Sequence, residues 1–161
     1  GVALNADAQS VFEQGQGQLA NGDIEGALAS FKQVRTLQDN GLAAFYEGYA
    51  LQQLGGGRIR EAVPAYQRAL QDYPDSDIIL NNLGYAYIQT GRYDLALDNL
   101  NKALTINASN VNAHINLGLT NYNLGRYADA VKAFDAALAL EPNQPEIVQQ
   151  VIAAAKAKAG Q

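Results

Sequence analysis

The feature that most constrains the fold of this chain is a repeat with a period of 34 residues. A shift by this length places Leu83-Gly84 on Leu117-Gly118, and the Gly-Arg-Tyr motif at 91–93 on the same motif at 125–127. A looser copy precedes them in the N-terminal half. Such a period indicates a stack of small units, each of which buries its apolar face only against its neighbours. The 161 residues are enough for four units.

The apolar residues of a unit follow a helical period. Tyr93, Leu97, Leu100 and Leu104 are spaced by three or four residues, as on one face of an α-helix. Alanines recur between them and predict close helix packing, because larger side chains separate helix axes. Gly84 falls inside a predicted helix, where glycine costs about 1 kcal/mol relative to alanine. We therefore expect a neighbouring residue to approach its backbone closely.

The repeated pattern resembles the tetratricopeptide repeat, a helix–turn–helix unit. The third copy carries the residues 82–87, followed by Ala96, Leu100 and Ala103, and the fourth copy closes with Pro142. The resemblance implies an all-α fold: a right-handed superhelical solenoid of four helix–turn–helix repeats plus a C-terminal capping helix.

The repeat pattern also predicts where each unit begins and ends. The predicted units are 8–40, 41–76, 77–110 and 111–144, followed by 145–161 with a capping helix at about 146–159. Residues 1–7 are expected to be disordered or foreign to the natural chain. The first unit is degenerate, and the second has two extra glycines in its turn, within 55–57. Glu47 takes a position that holds Leu83 and Leu117 in later units, so its burial without a partner would weaken the packing.

Composition excludes several functional classes. The chain has no Cys, one His and a net charge of −5. Cysteine-based metal sites and thiol chemistry are therefore excluded, and nucleic acid is not an expected partner of an acidic chain. His114 is interpreted as a packing residue, and no Ser stands beside a base in a catalytic pattern. We predict no enzymatic activity, no cofactor and no metal.

The sequence leaves the compartment open. No apolar run approaches the ~20 residues that span a bilayer, so direct membrane insertion is not expected. Ala6-Asp7-Ala8 resembles the small-residue end of a cleaved signal peptide. The cytoplasm is slightly favoured, and the periplasm or secretion is the alternative.

The resemblance further implies a binding groove, because the first helices of such units line a concave face that binds segments of partner proteins. The groove residues predicted on this basis are Phe12, Phe45, Tyr49, Asn81, Tyr85, Ile88, Gln89, Asn112, Ile115, Leu119, Tyr122 and Asn123. Equivalent positions hold Leu42 and Ile78. None of these residues is charged, which argues against clamping of an acidic chaperone tail and favours an apolar peptide or helix as ligand.

Three alternatives remain open at this stage. The chain is expected to be monomeric, but an uncapped first unit would allow it to self-assemble as a structural scaffold. It is alternatively an interaction domain of a larger protein. Arg58, Arg92 and Arg126 recur at one position of the repeat, either as solubilising or helix-capping residues or as a docking strip for acidic partners.

Overall fold

The fold consists of helix pairs in chain order. The computed structural model describes residues 3–160 and places nine α-helices and one 3-10 helix among them. The helices are α1 (Ala6–Ala20), α2 (Ile24–Leu37), α3 (Gly41–Leu54), the 3-10 helix Gly56–Arg58, α4 (Ile59–Asp72), α5 (Asp77–Gln89), α6 (Tyr93–Ile106), α7 (Val111–Asn123), α8 (Tyr127–Leu140) and α9 (Glu146–Ala159). The predicted all-α solenoid and its capping helix are confirmed, and the extra glycines of the second unit form the 3-10 turn.

Contacts between helices follow the order of the chain, as in a solenoid. Every two consecutive α-helices, from α1 with α2 to α8 with α9, pack against each other. In addition, α3 contacts α5, α5 contacts α7, and α7 contacts α9, whereas the even-numbered helices among residues 3–160 have no comparable contacts with one another. Because neighbours on the inside of a curved stack are closest together, we term α3, α5, α7 and α9 the inner helices. We include α1 with them as the first helix of its pair, and term the others the outer helices.

A close approach of glycine to a large side chain recurs in every unit. A Cβ atom added to Gly84 would lie 2.8 Å from Leu100, and one added to Gly118 would lie 2.5 Å from Phe134. Gly15 faces Phe31 and Gly48 faces Tyr66 in the same way. Leu100, Phe134, Phe31 and Tyr66 are all fully buried on outer helices. The missing side chain of the inner helix therefore makes room for a large, fully buried side chain of the outer helix.

The N-terminal end of the stack is held by polar contacts. Helix α1 begins at Ala6 and not at residue 8, because the Asn5 side chain accepts a hydrogen bond from the Ala8 backbone N–H at 2.9 Å and caps the helix. The Asn5 N–H donates to Gln38 at 2.8 Å, which ties this segment to the end of α2. Residues 1, 2 and 161 lie outside the described residues.

Glu47 has a partner that the sequence pattern does not reveal. The side chain is buried on α3, as its position in the repeat predicts. Arg35 on α2 donates a hydrogen bond to its carboxylate at 2.6 Å. The packing weakness expected from an isolated buried charge is therefore avoided by an ion pair between the first two units.

Candidate partner-binding face

Three of the twelve predicted groove residues are buried in the structure. Phe12 packs edge-on against Phe31 and Tyr46, with ring centroids 5.6 and 5.2 Å away. Ile88 belongs to the central hydrophobic core. Asn81 is buried against α7. Their positions in the repeat predict that they line the groove, but in the structure their side chains make contacts inside the protein.

The other nine predicted residues have accessible surface. Those that are half-buried are Phe45, Tyr49, Tyr85, Ile115, Leu119 and Tyr122. Those that are exposed are the amide residues Gln89, Asn112 and Asn123. They lie on α3, α5 and α7, and we term the surface that they form the inner face. Its described side chains are aromatic, aliphatic or amide, a composition that suits a protein-binding surface.

An apolar pocket of about 200 Å³ lies between α3 and α5. Leu42 and Phe45 line it from α3, and Ile78 and Ile79 line it from α5. The loop before α5 completes the lining with Tyr73 and Ser76. We term this cavity the α3–α5 pocket. Residues of two adjacent units line this pocket. Its shape therefore depends on how the units pack, and the pattern of either unit alone does not predict it.

A second apolar pocket, of about 130 Å³, lies between α7 and α9. Ile115 and Leu119 line it from α7, and Ile147, Val148 and Val151 line it from α9. The capping helix thus takes the place that the inner helix of a further unit would have, because it packs on α8 and also reaches α7.

Between α5 and α7, a polar contact joins the two inner helices. The side-chain amide of Asn116 donates a hydrogen bond to the side-chain oxygen of Asn81 at 2.9 Å, and both residues are buried. The inner helices are thus joined by an amide bridge between α5 and α7, with an apolar pocket between α3 and α5 and another between α7 and α9.

Exposed apolar side chains are concentrated at one edge of the solenoid. Leu42, Ile78 and Ile147 are the second residues of α3, α5 and α9, with 36%, 56% and 67% of their surface accessible. Three others end outer helices: Leu37, Ile106 and Leu140. Each outer helix ends where the next inner helix begins, so all six lie at the same edge, which we term the loop edge. They occur one or two at each junction between an outer helix and the next inner helix, so each junction presents apolar surface at this edge.

Ion pairs join the first two units beside the α3–α5 pocket. Arg35 on α2 donates to Glu47 on α3 at 2.6 Å and to Asp39 at 3.0 Å. Arg68 on α4 donates to Asp39 at 2.6 Å and to Asp72 at 2.9 Å. We term these five residues the ion-pair network.

The network ends on the backbone of α3. Asp72 accepts a hydrogen bond from the Gly41 N–H at 2.7 Å, directly before Leu42 of the pocket. This bond and that from Arg68 lower the pKa of Asp72. Partial burial acts to raise the pKa of Asp39, but hydrogen bonds from Arg68 and Arg35 outweigh it and hold the pKa below its ordinary value.

The three recurrent arginines do not form a uniform docking strip. Arg58 is paired with Glu25 at 3.3 Å and with Glu61 at 3.2 Å. The guanidinium of Arg92 lies 5.0 Å from the centroid of the Tyr87 ring, a cation–π contact. Arg126 is exposed. Each arginine has different surroundings, so their sequence periodicity does not translate into a repeated charge site.

The last features to consider are the single histidine, groups that could bind a metal ion, and helices that could cross a membrane. The Nε2 atom of His114 lies 2.9 Å from the Ala108 carbonyl oxygen, and the half-buried ring borders Leu104 and Leu117 in a groove between α6 and α8. Within residues 3–160 there is no group of three or more His, Asp or Glu side chains placed to hold a metal ion. No helix in this range is long and apolar enough to cross a membrane.

Comparison with known proteins identifies the family. Models described as tetratricopeptide repeat or TPR repeat match residues 53–98, 84–125 and 111–144, which together cover more than half of the chain. The chain therefore belongs to the tetratricopeptide repeat family. The matched range includes α5 to α8 in full, where the sequence repeat is most regular.

Curated relatives match the chain over part of its length. Tetratricopeptide repeat protein 28 of Homo sapiens is 33% identical over 99 residues, which is 62% of this chain and 4% of that protein. Small glutamine-rich tetratricopeptide repeat-containing protein 2 of Mycosarcoma maydis is 30% identical over 95 residues, or 59% of this chain and 27% of that protein. The chain thus spans only a small part of these relatives.

The whole fold has a counterpart among solved structures. A crystal structure of MamA protein superimposes with a TM-score of 0.84 and covers 95% of this chain and 82% of its own. The two sequences are 21% identical over this alignment. This similarity concerns the fold.

Proposed function

We propose that this chain is a protein–protein interaction scaffold that binds an apolar peptide or helix of a partner along its inner face. Tetratricopeptide repeats stack into curved solenoids whose concave surfaces are used for binding. The observation that carries the proposal is the α3–α5 pocket, an apolar cavity open between two inner helices and lined by Leu42, Phe45 and Ile78. A side chain of a partner would fill it and remove this apolar surface from water.

Aromatic residues follow the pocket residues along both α3 and α5. The rings of Phe45 and Tyr49 are stacked, with centroids 6.4 Å apart. Tyr85 lies seven residues after Ile78, two helical turns further along the same face of α5. Aromatic residues in such positions are typical anchors of protein interfaces. Exposed Gln89 supplies an amide that can pair with a peptide backbone.

The outward surface of α1 favours a monomeric scaffold over a self-assembling one. The exposed residues of α1 are small or polar, among them Gln9, Glu13 and Gln16. Its apolar residues Ala8 and Phe12 face the core. The polar outward surface of this helix therefore disfavours the stacking of a second copy against it.

Selection from a displayed library of random 12-residue peptides tests the proposal. Peptides enriched on the wild-type protein are expected to lose at least tenfold in affinity for Tyr85→Glu, because a charge then occupies the inner face. Ala29→Glu is the matched control, since it adds the same charge on the exposed surface of outer helix α2. Equal binding to the wild type and Tyr85→Glu would refute the proposal.

A further inference from the structure

Acidic residues stand next in the chain to several residues of the α3–α5 pocket. No charged residue lines the cavity, but three of its lining residues have an aspartate as a direct neighbour in the chain. Asp72 precedes Tyr73, Asp75 precedes Ser76, and Asp77 precedes Ile78. The backbone that lines the apolar cavity at the loop edge therefore carries three aspartates.

These carboxylates are not neutralised as a group. The ion-pair network contains three carboxylates and two guanidiniums, which leaves one negative charge in excess. Asp77 accepts hydrogen bonds from the side-chain amides of Asn107 and Asn110, both at 2.8 Å, and these neutral donors leave its charge in place. Asp75 is exposed and forms no ion pair within residues 3–160.

We infer that the α3–α5 pocket takes an apolar side chain from a partner segment that carries Lys or Arg beside that side chain. This inference rests on the proposed function and specifies its ligand. The apolar side chain would replace water between Leu42 and Ile78, and the basic residues would lie against Asp75 and Asp77. Charge complementarity of this kind selects partners and speeds association more than it adds affinity.

The charge of the region also argues against a second copy of this chain as the occupant. The chain has a net charge of −5 and would bring further negative charge to an already acidic border. A basic partner segment would instead be attracted to this border, since each Lys or Arg reduces the repulsion among the carboxylates. The same reasoning disfavours acidic peptides.

The composition of selected peptides gives the first test. Peptides that bind the wild-type protein and fail to bind Ile78→Asp are expected to contain an apolar residue with Lys or Arg within two positions. Enrichment of neutral or acidic sequences would overturn the inference. If such peptides still lose binding to Tyr85→Glu, the proposed function survives while the inference about charge fails. A library that yields no Tyr85-dependent peptide contradicts both.

Titration of one selected peptide gives the second test. We expect Asp75→Asn to weaken its binding about threefold at low salt and to reduce the salt dependence, as for an exposed charge pair. Asp94→Asn is the matched control, because Asp94 is an exposed carboxylate on outer helix α6. An unchanged affinity for Asp75→Asn, or an equal effect of both variants, would overturn the inference. Dimerisation of the wild type that Ile78→Asp abolishes would overturn it as well, by naming a second copy as the occupant.

Discussion

The side-chain amide of Asn116 donates a hydrogen bond of 2.9 Å to the side-chain oxygen of Asn81, and the two residues are buried between α5 and α7. This bond joins the inner helices of the two most regular units inside the core. A buried polar group is costly unless it has a partner, so each asparagine depends on the other. The interface between the third and fourth units is therefore specified by a pair and not by apolar packing alone.

We predict that Asn116→Ala lowers the free energy of unfolding by about 1–3 kcal/mol, because Asn81 loses its donor inside the core. Urea denaturation followed by circular dichroism measures the effect. Asn123→Ala is the control: Asn123 is exposed on the same helix, and we expect a change below about 0.5 kcal/mol. Similar losses for both variants would contradict the importance of the buried pair.

Gly118→Ala is predicted to destabilise the fold by about 1–3 kcal/mol, because the new Cβ atom would meet the Phe134 ring in a filled core. Gly17→Ala provides a matched control in another inner helix, where no atom lies within 4 Å of the added Cβ. That change should instead stabilise the protein by about 0.5–1 kcal/mol, as in an open helix interior. Thermal or urea unfolding of the two variants must give opposite signs; the same sign would contradict the close approach.

Arg35→Leu is predicted to cost about 2–3 kcal/mol, since it leaves the buried Glu47 carboxylate without its partner. Combining it with Glu47→Leu should recover most of the loss, because the equivalent position holds Leu83 and Leu117 in later units. Lys132→Gln breaks an exposed pair with Asp129 and should change stability by less than about 0.5 kcal/mol. Urea denaturation compares the three variants. A double variant no more stable than Arg35→Leu would refute the pairing argument.

The ion-pair network also predicts a dependence of stability on pH. Asp39 and Asp72 have pKa values below the ordinary 3.8, so the unfolded chain binds protons at these groups before the folded one does. Their contribution is complete above the unfolded pKa and is lost as the pH falls through 3.8 and then through the lower folded pKa. Melting temperatures between pH 7 and pH 2 should fall more steeply for the wild type than for Asp39→Asn combined with Asp72→Asn. Parallel curves would contradict the network.

The fold could be predicted from the sequence because its determinants are local and repeated. The capping helix lies at 146–159, where the apolar stripe that includes Val148, Val151 and Ile152 predicts it. The glycine at position 84 indicates a close approach, and Leu100 makes it. Such features recur in every unit, so one period contains most of the information about the stack.

The surface of the inner face could be predicted only in part, since exposure depends on contacts between units. Asn81 occupies a groove position of its own helix, but its partner Asn116 is 35 residues away. Buried Glu47 has no partner in the pattern of its own unit and is stabilised by Arg35 from the preceding one. Tyr73 and Ile79 line the α3–α5 pocket although no repeat position marks them. These contacts arise from packing between adjacent units, which the pattern of a single unit does not encode.

Nuclear magnetic resonance of ring-labelled tyrosines tests the central claim most directly, because the chain has nine of them on both kinds of helix. A selected peptide added to saturation should shift the ring signals of Tyr49 and Tyr85 on the inner face. The signal of Tyr93, which begins outer helix α6, should remain in place. A shift at Tyr93 with unchanged signals from Tyr49 and Tyr85 would place the partner on the outer surface and contradict the account.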